Sequence, residues 1–475
     1  MSVKTNKTER PIKILQFGEG NFLRAFVDYM VDVANERACF NGNVQIVKPV
    51  SFGSIETLKA QNCVYTALLR GKEDGEIYTE KRTITCISDA IGVHEDYDEY
   101  AAFAKSDDLR FIVSNTTEAG IVYDETDKFE LCPPKSYPAK LTKFLYERFK
   151  AFDGSFDKGL IILPVELIDK NGQALKECCL KLSELWHLSE EFKIWLVSAN
   201  TFCNTLVDRI VTGYPKDEAD VLEKELGWCD DLVVAGEPFA LWVIETDNPS
   251  VAGEFSLDRA GLPVIFTDDL TPYRERKVRL LNGAHTTSAL VAYLSNLDTV
   301  GDMMKDKTMG TFLKKALYEE LVPMVQLPAD EVIAFADAVI ERFENPFIKH
   351  YLLSISLNSI SKFKVRVLPT ILETYEKTGR LPKLLCFSFA ALIAFYTDGM
   401  RDGKPYEVSD DLHVLEFFDK NKLMKPKELI HNFLSNAEFW GEDLTNIPEL
   451  SDRVTDGLYS IRANGMREAV ERIIL

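Results

Sequence analysis

A short apolar strand, Ile12-Lys13-Ile14-Leu15-Gln16-Phe17, runs without a linker into Gly18-Glu19-Gly20 and then into a helical stretch that reaches about Ala38. Strand, glycine turn and helix in that order form the opening of a dinucleotide-binding βαβ unit. Gly18 permits the tight turn and Gly20 lets the backbone approach a pyrophosphate. The helix N-terminus presents unpaired N–H groups to the anion. Leu23 stands where a third glycine is expected, and Arg24 brings a cation close to the phosphates. The second strand, Val44–Val50, carries no acid for the adenosine ribose, since the next one is Glu56. Its residues therefore leave NAD and NADP open, and Lys48 could accept a 2′-phosphate.

Short β-branched runs alternate with helical segments up to about residue 270: Val44–Val50, Phe111–Asn115, Leu160–Val165, Ile194–Ser198, Leu232–Ala235, Leu241–Glu245 and Val264–Thr267. That alternation predicts a largely parallel sheet covered on both faces. Val64–Arg70 and Glu76–Ile91, joined by Gly71-Lys72-Glu73-Asp74-Gly75, interrupt it as an inserted or antiparallel piece. Beyond residue 271 helical patterns take over. Asn345-Pro346 suits a helix N-cap and first position, and Pro369 and Pro382 mark breaks. The uncharged run Leu384–Tyr396 is too short to span a bilayer and predicts a buried helix. The fold class expected is α/β, an N-terminal Rossmann-type doubly wound sheet over 1–275 followed by a mainly helical domain over 276–475.

The helical half opens with chemistry. Lys277, Asn282 and His285 stand at offsets of five and eight. At about 100° per residue, an α-helix sets Asn282 roughly 140° from Lys277, with His285 between them. Such an arc can surround a carbonyl: a lysine to move a proton, an amide to donate to a developing alkoxide, a histidine to orient either partner. A free lysine, near pKa 10.4, is a poor base at neutral pH, so burial and cations must depress it, with Arg274 and Arg276 adjacent.

Charge narrows the partners. The chain carries 55 basic and 75 acidic residues, a formal charge of −20, which disfavours nucleic acid and anionic membranes and obliges an anionic substrate to find a local basic pocket. Lys349, His350, Lys362, Lys364 and Arg366 supply one, with no acid between Phe347 and Leu372. Lys362 and Arg366, four residues apart, share a helix face that could hold a carboxylate. Nine scattered cysteines without zinc spacing indicate buried free thiols in a reducing cytoplasm, and no histidine cluster implies a metal. The polar N-terminus lacks the apolar core of an export signal.

With these motifs in view, the chain resembles the long-chain mannitol dehydrogenase family of polyol and sugar-acid oxidoreductases over nearly its whole length. The family's Gly-x-Gly-x-Phe-x-Arg-Ala motif is met by Gly18, Gly20, Phe22, Arg24 and Ala25, and its Lys-x4-Asn-x2-His signature by Lys277, Asn282 and His285. Ser114-Asn115-Thr116-Thr117-Glu118, Thr205–Ile210 and Glu237-Pro238-Phe239 agree as well. Two places depart: Arg274, with Glu275 beside it, stands where mannitol dehydrogenases have a glutamate three residues before the lysine, and one segment differs. Where mannitol dehydrogenases have Asp-Asn-Leu-Pro-His-Asn-Gly and draw a second oxyanion asparagine, this chain reads Glu166-Leu167-Ile168-Asp169-Lys170-Asn171-Gly172. Leu167 cannot donate, so Lys170, Asn204 or the substrate itself must complete the donor set.

The resemblance implies NAD as cofactor, held by Phe17, Gly18, Gly20, Asn21, Phe22, Arg24, Asn115 and Thr117. It implies reversible hydride transfer to the keto carbon of a small keto-uronate, giving an aldonate, with Lys277, Asn282 and His285 catalytic. Lys170, Asn204, His350, Lys362 and Arg366 are the expected substrate contacts. The isomeric keto-uronate fructuronate or a neutral polyol is the alternative substrate. A non-catalytic NAD sensor or scaffold is the rival from another class, disfavoured because it has no need of the lysine arc. The sequence carries no assembly signature.

Overall fold

A computed structural model of the chain describes residues 7–116 and 119–475, so Thr117 lies outside the described residues. The chain divides into two compact units. One holds the residues up to Arg70 together with Ile77–Leu270; the other holds Gly71–Glu76 and Thr271–Leu475.

In the first unit six parallel strands form one sheet: β1 (Ile12–Phe17), β2 (Asn43–Lys48), β3 (Ile87–Gly92), β4 (Phe111–Ser114), β5 (Ile161–Pro164) and β6 (Thr201–Phe202). Their spatial order is β3-β2-β1-β4-β5-β6. The order reverses between β1 and β4, where Phe17 pairs in register with Ser114. A ligand crevice is expected outside the strand ends at that switch point. Successive residues point to opposite faces. Leu15, Phe17 and Ile112 therefore enter one apolar core, and Ile14, Phe111 and Val113 the other. Both faces are buried, as the doubly wound reading requires.

Two smaller sheets complete the unit. Tyr65–Glu73 and Glu76–Ile84 are neighbours in a four-stranded sheet, and Asn204–Asp208 pairs antiparallel with Leu241–Glu245 in a three-stranded one. The single run expected over Glu76–Ile91 is thus two strands, the second of them β3. Ile194–Ser198, expected as a strand, is the end of a helix, Glu190–Ser198. Its apolar residues mimic a strand, but Ser189 caps the N-terminus, Glu190 and Glu191 suit the first turn, and only Phe192, Trp195 and Leu196 are buried, at helical spacing.

The second unit is helical. The uncharged run becomes Lys383–Asp398, whose residues Leu384–Tyr396 are all buried. Asn345-Pro346 does not start a helix. The Asn345 carboxamide accepts from the Phe347 N–H at 2.9 Å and closes a turn, so helix begins only at Leu352. Three cysteines, Cys39, Cys132 and Cys229, are exposed, which corrects the all-buried expectation. No helix among the described residues is long and apolar enough to cross a membrane.

One buried amide ties the end of β5 to its neighbours. Asn171, 1% exposed, donates to the Pro164, Glu166 and Thr205 carbonyls and accepts from the Thr205 N–H at 2.8 Å. Asn171→Ala strands several buried polar groups and should cost about 2–4 kcal/mol, lowering the unit's melting midpoint by about 5–15 °C. A shift under about 2 °C would contradict this role.

Candidate functional site

The glycine turn is built from close contacts. Gly18 has φ +128°, outside the range of L side chains, and a Cβ there would lie 2.8 Å from Leu23 Cδ1 and 3.2 Å from the Asn115 carbonyl oxygen. The Gly18 N–H donates to the Val47 carbonyl, and the Asn115 N–H to that of Phe17, which stitches the turn to β2 and β4. Leu23 replaces the third glycine because its side chain packs over Gly18. Around Gly20, in contrast, nothing lies within 4 Å of a built Cβ. Gly20 leads into α1 (Asn21–Arg37) with no side-chain cap, so the first N–H groups of the helix are free for an anion.

The other residues expected at the nucleotide are engaged within the protein. Phe17 is fully buried against Tyr100 and Tyr137. Arg24, 7% exposed, donates to the Leu232 carbonyl and to Asn21 Oδ1, and its guanidinium lies over the Tyr65 ring. Phe22 stacks on Phe26. Lys48 does not stand ready for a 2′-phosphate: its side chain is 1% exposed, and its ammonium is bound by Glu95 at 2.7 Å and the Gly53 carbonyl at 3.2 Å.

Glu166 is a support that the sequence does not announce. Its buried carboxylate, at the end of β5, accepts from Ser114 Oγ and from the Thr116 N–H and hydroxyl, fixing the segment that follows β4. Burial raises its pKa, although those hydrogen bonds pull it down. Leu167 beside it is 65% exposed, and Lys170 is exposed with φ +50°. The Asn204 amide is engaged at both ends, donating to Glu245 Oε1 at 2.6 Å and accepting from the Gln173 N–H at 3.0 Å.

In the second unit, Lys277–Asn282 is a π-helical turn rather than α-helix. The Gly283 N–H reaches back to the Val278 carbonyl, five residues earlier. Such a turn is hydrogen-bonded i to i+5 and winds more residues per turn than an α-helix. Lys277 and Asn282 therefore lie closer to one face than the roughly 140° apart that α geometry gives. His285 follows three residues later in α2 (Gly283–Tyr293), so it continues the same face. Arg279, on the turn, makes a two-pronged ion pair with Glu373. Arg276 lies over the Tyr273 and Phe335 rings and 3.7 Å from Glu331, which offsets its charge.

His285 is surrounded by basic side chains. Its ring stacks on Phe343 at 4.1 Å, meets His350 edge-on at 5.0 Å, and leaves Nε2 buried with no hydrogen-bond partner among the described residues. Burial, then His350, Arg342, Arg366 and Lys362, hold its pKa well below the usual 6.5. His350 sits on a segment pinned by the Thr299–Tyr351 bridge, and its carbonyl takes the Val300 N–H. Lys362 and Arg366 share the helix α3 (Ser359–Arg366). Lys362 donates to the Ile355 carbonyl at 2.9 Å, and its pKa is lowered by burial and by Arg366. Arg366 is half-buried, and no hydrogen bond or ion pair reaches its guanidinium among the described residues. A Cβ on Gly283 would stand 3.1 Å from the Arg366 carbonyl oxygen, so the glycine after Asn282 lets α3 close onto the π turn.

The second unit thus gathers His285, His350, Lys362 and Arg366, and adds Arg342 and Phe343, from the helix Ala329–Phe343, which sequence reasoning missed, while Lys277 and Asn282 lie on the π turn that runs into the His285 helix. A neutral buried histidine binds fewer protons folded than unfolded below about pH 6.5, so stability is full above that pH and falls as pH drops below it. The second unit's melting midpoint should fall between about pH 7 and 5, each titrating group adding at most about 1.4 kcal/mol per pH unit. The slope should lessen in His285→Asn, and an unchanged slope would contradict the neutral-histidine assignment.

Comparison with known proteins places this arrangement. The sequence matches the Mannitol dehydrogenase Rossmann domain over residues 12–259 and the Mannitol dehydrogenase C-terminal domain over residues 269–462. It is 48% identical over 467 residues to an altronate oxidoreductase of Yersinia enterocolitica, covering 97% of this chain and 96% of that protein, and 48% identical over the same length to one of Escherichia coli. Among solved structures, a D-sorbitol dehydrogenase in substrate-free form aligns with a TM-score of 0.80 at 23% identity, over 97% of this chain and 95% of that one. A Pseudomonas fluorescens mannitol 2-dehydrogenase in ternary complex with NAD and D-mannitol aligns with a TM-score of 0.67 at 23% identity, over 98% and 94%. With both halves matched and relatives near half identity across its length, this chain belongs to the mannitol dehydrogenase family.

Proposed function

We propose that the chain is an NADH-dependent oxidoreductase that reduces the keto group of D-tagaturonate to D-altronate, reversibly, with Lys277 as general acid and base. The name shared by its half-identical relatives supports the substrate. The observation that carries the reading is the half-buried Arg366, unpaired among the described residues, beside Lys362, His350 and the neutral His285. A guanidinium that no described residue pairs suits a carboxylate brought by the substrate and can bind it through two N–H groups. A neutral polyol gives that charge no partner.

The nucleotide edge fits a dinucleotide, since Gly20 leaves open space before an uncapped helix N-terminus. When bound, NADH supplies the hydride that the keto carbon receives. Lys277 delivers a proton to the carbonyl oxygen as it becomes an alkoxide and takes it back in oxidation. Asn282, one π turn along, donates a hydrogen bond to the same oxygen. His285, neutral at physiological pH, orients the substrate or the lysine. With Leu167 unable to donate and the Asn204 amide engaged, the second donor falls to Lys170 or to the substrate's own hydroxyls.

Following NADH absorbance with tagaturonate, fructuronate, fructose and mannitol 1-phosphate tests the reading. Tagaturonate should give the highest kcat/KM, and a preference for fructuronate or neutral fructose would overturn the substrate assignment. Activity on none would favour a sensor or scaffold. Lys277→Ala should lower kcat by at least about a hundredfold while NADH still binds, and a near-normal kcat would refute its role.

A further inference from the structure

We infer that the acid that reads the adenosine ribose stands in this chain at Glu95, on the turn after β3, instead of at the end of β2. The inference rests on the dinucleotide reading above. In a doubly wound sheet a carboxylate at the end of β2 accepts from the ribose 2′-hydroxyl. Here β2 ends in Lys48, followed by Pro49 and Val50, none of them acidic. The turn after β3 lies against that end, the Val93 N–H donating to the Lys48 carbonyl at 3.2 Å. The Glu95 and Asp96 N–H groups both bond the Gly92 carbonyl, which fixes the turn.

Glu95 is then held by the strand it replaces. Its Oε1 takes the Lys48 ammonium at 2.7 Å, while the side chain remains 57% exposed. Lys48 has a second bond to the Gly53 carbonyl and is almost wholly buried, so it orients the carboxylate and is out of reach of a ligand. The second carboxylate oxygen is left to accept from a ribose hydroxyl. Pro49 and Val50, which follow Lys48, line a cavity of about 570 Å3 together with Tyr123, Asp124, Glu125, Tyr137 and Lys140. The cavity offers apolar and aromatic walls to an adenine ring. Lys140 donates to the Lys135 carbonyl at 2.6 Å, so it too is engaged. A 2′-phosphate would meet the Glu95 carboxylate head-on, a like-charge contact that selects NADH over NADPH.

Fluorescence titration of the full chain with NADH and NADPH reads this directly. The wild type should bind NADH more tightly, and Glu95→Gln should weaken NADH by about tenfold while weakening NADPH little or improving it. Because Glu95→Gln leaves the Lys48 ammonium short of a partner, the double variant Lys48→Met with Glu95→Gln guards against a folding defect and should show the same narrowed NADH to NADPH ratio. An unchanged ratio in both variants, equal weakening of both nucleotides, or a wild type that prefers NADPH would overturn the assignment. Binding of neither nucleotide by the wild type would overturn the dinucleotide reading as well.

Discussion

The site in the second unit is organised around a guanidinium that the protein does not neutralise. Its neighbours show that the chain can neutralise one: Arg279 is clamped by Glu373, and Arg276 rests between aromatic rings beside Glu331. Among the described residues Arg366 has no such partner, and it stands with Lys362, His350 and Arg342 around a histidine that burial keeps uncharged. In a chain of charge −20, acids were available to fill that position. On the proposed reading, a substrate carboxylate supplies the partner that Arg366 lacks among the described residues.

Backbone geometry delivers the reacting groups to that charge. The wider π turn at Lys277–Asn282 brings the lysine and the asparagine toward one face, and the glycine that follows admits the Arg366 carbonyl to 3.1 Å of a would-be Cβ. A regular α-helix here would rotate Asn282 away from Lys277. A side chain at Gly283 would push α3 outward. The first unit uses the same economy. Gly18 is confined by Leu23 and Asn115, while Gly20 faces open space, so one glycine serves the fold and the other the ligand.

Much of this was legible in the sequence because it is local. The strand, turn and helix at Ile12–Arg37, the buried helix Lys383–Asp398 and the shared face of Lys362 and Arg366 all follow from spacing and composition. What was misread depended on long-range packing. Ile194–Ser198 has the apolar content of a strand, and only its burial by helical spacing and its Ser189 cap decide for helix. The π turn has no residue signature, since α and π turns use the same side chains and differ in which carbonyl each N–H finds. Arg342 reaches the site from a helix with an ordinary amphipathic pattern, and Glu166 and Glu95 gain their roles from partners about 50 residues away.

The central claim, that Arg366 recognises a substrate carboxylate, is tested most directly by kcat/KM for tagaturonate and for its neutral counterpart tagatose, in the wild type and in Arg366→Ala. The account predicts a strong wild-type preference for the acid that falls at least about tenfold in the variant, with the rate on tagatose little changed. Equal loss on both substrates, or a preference that survives the substitution, would contradict it.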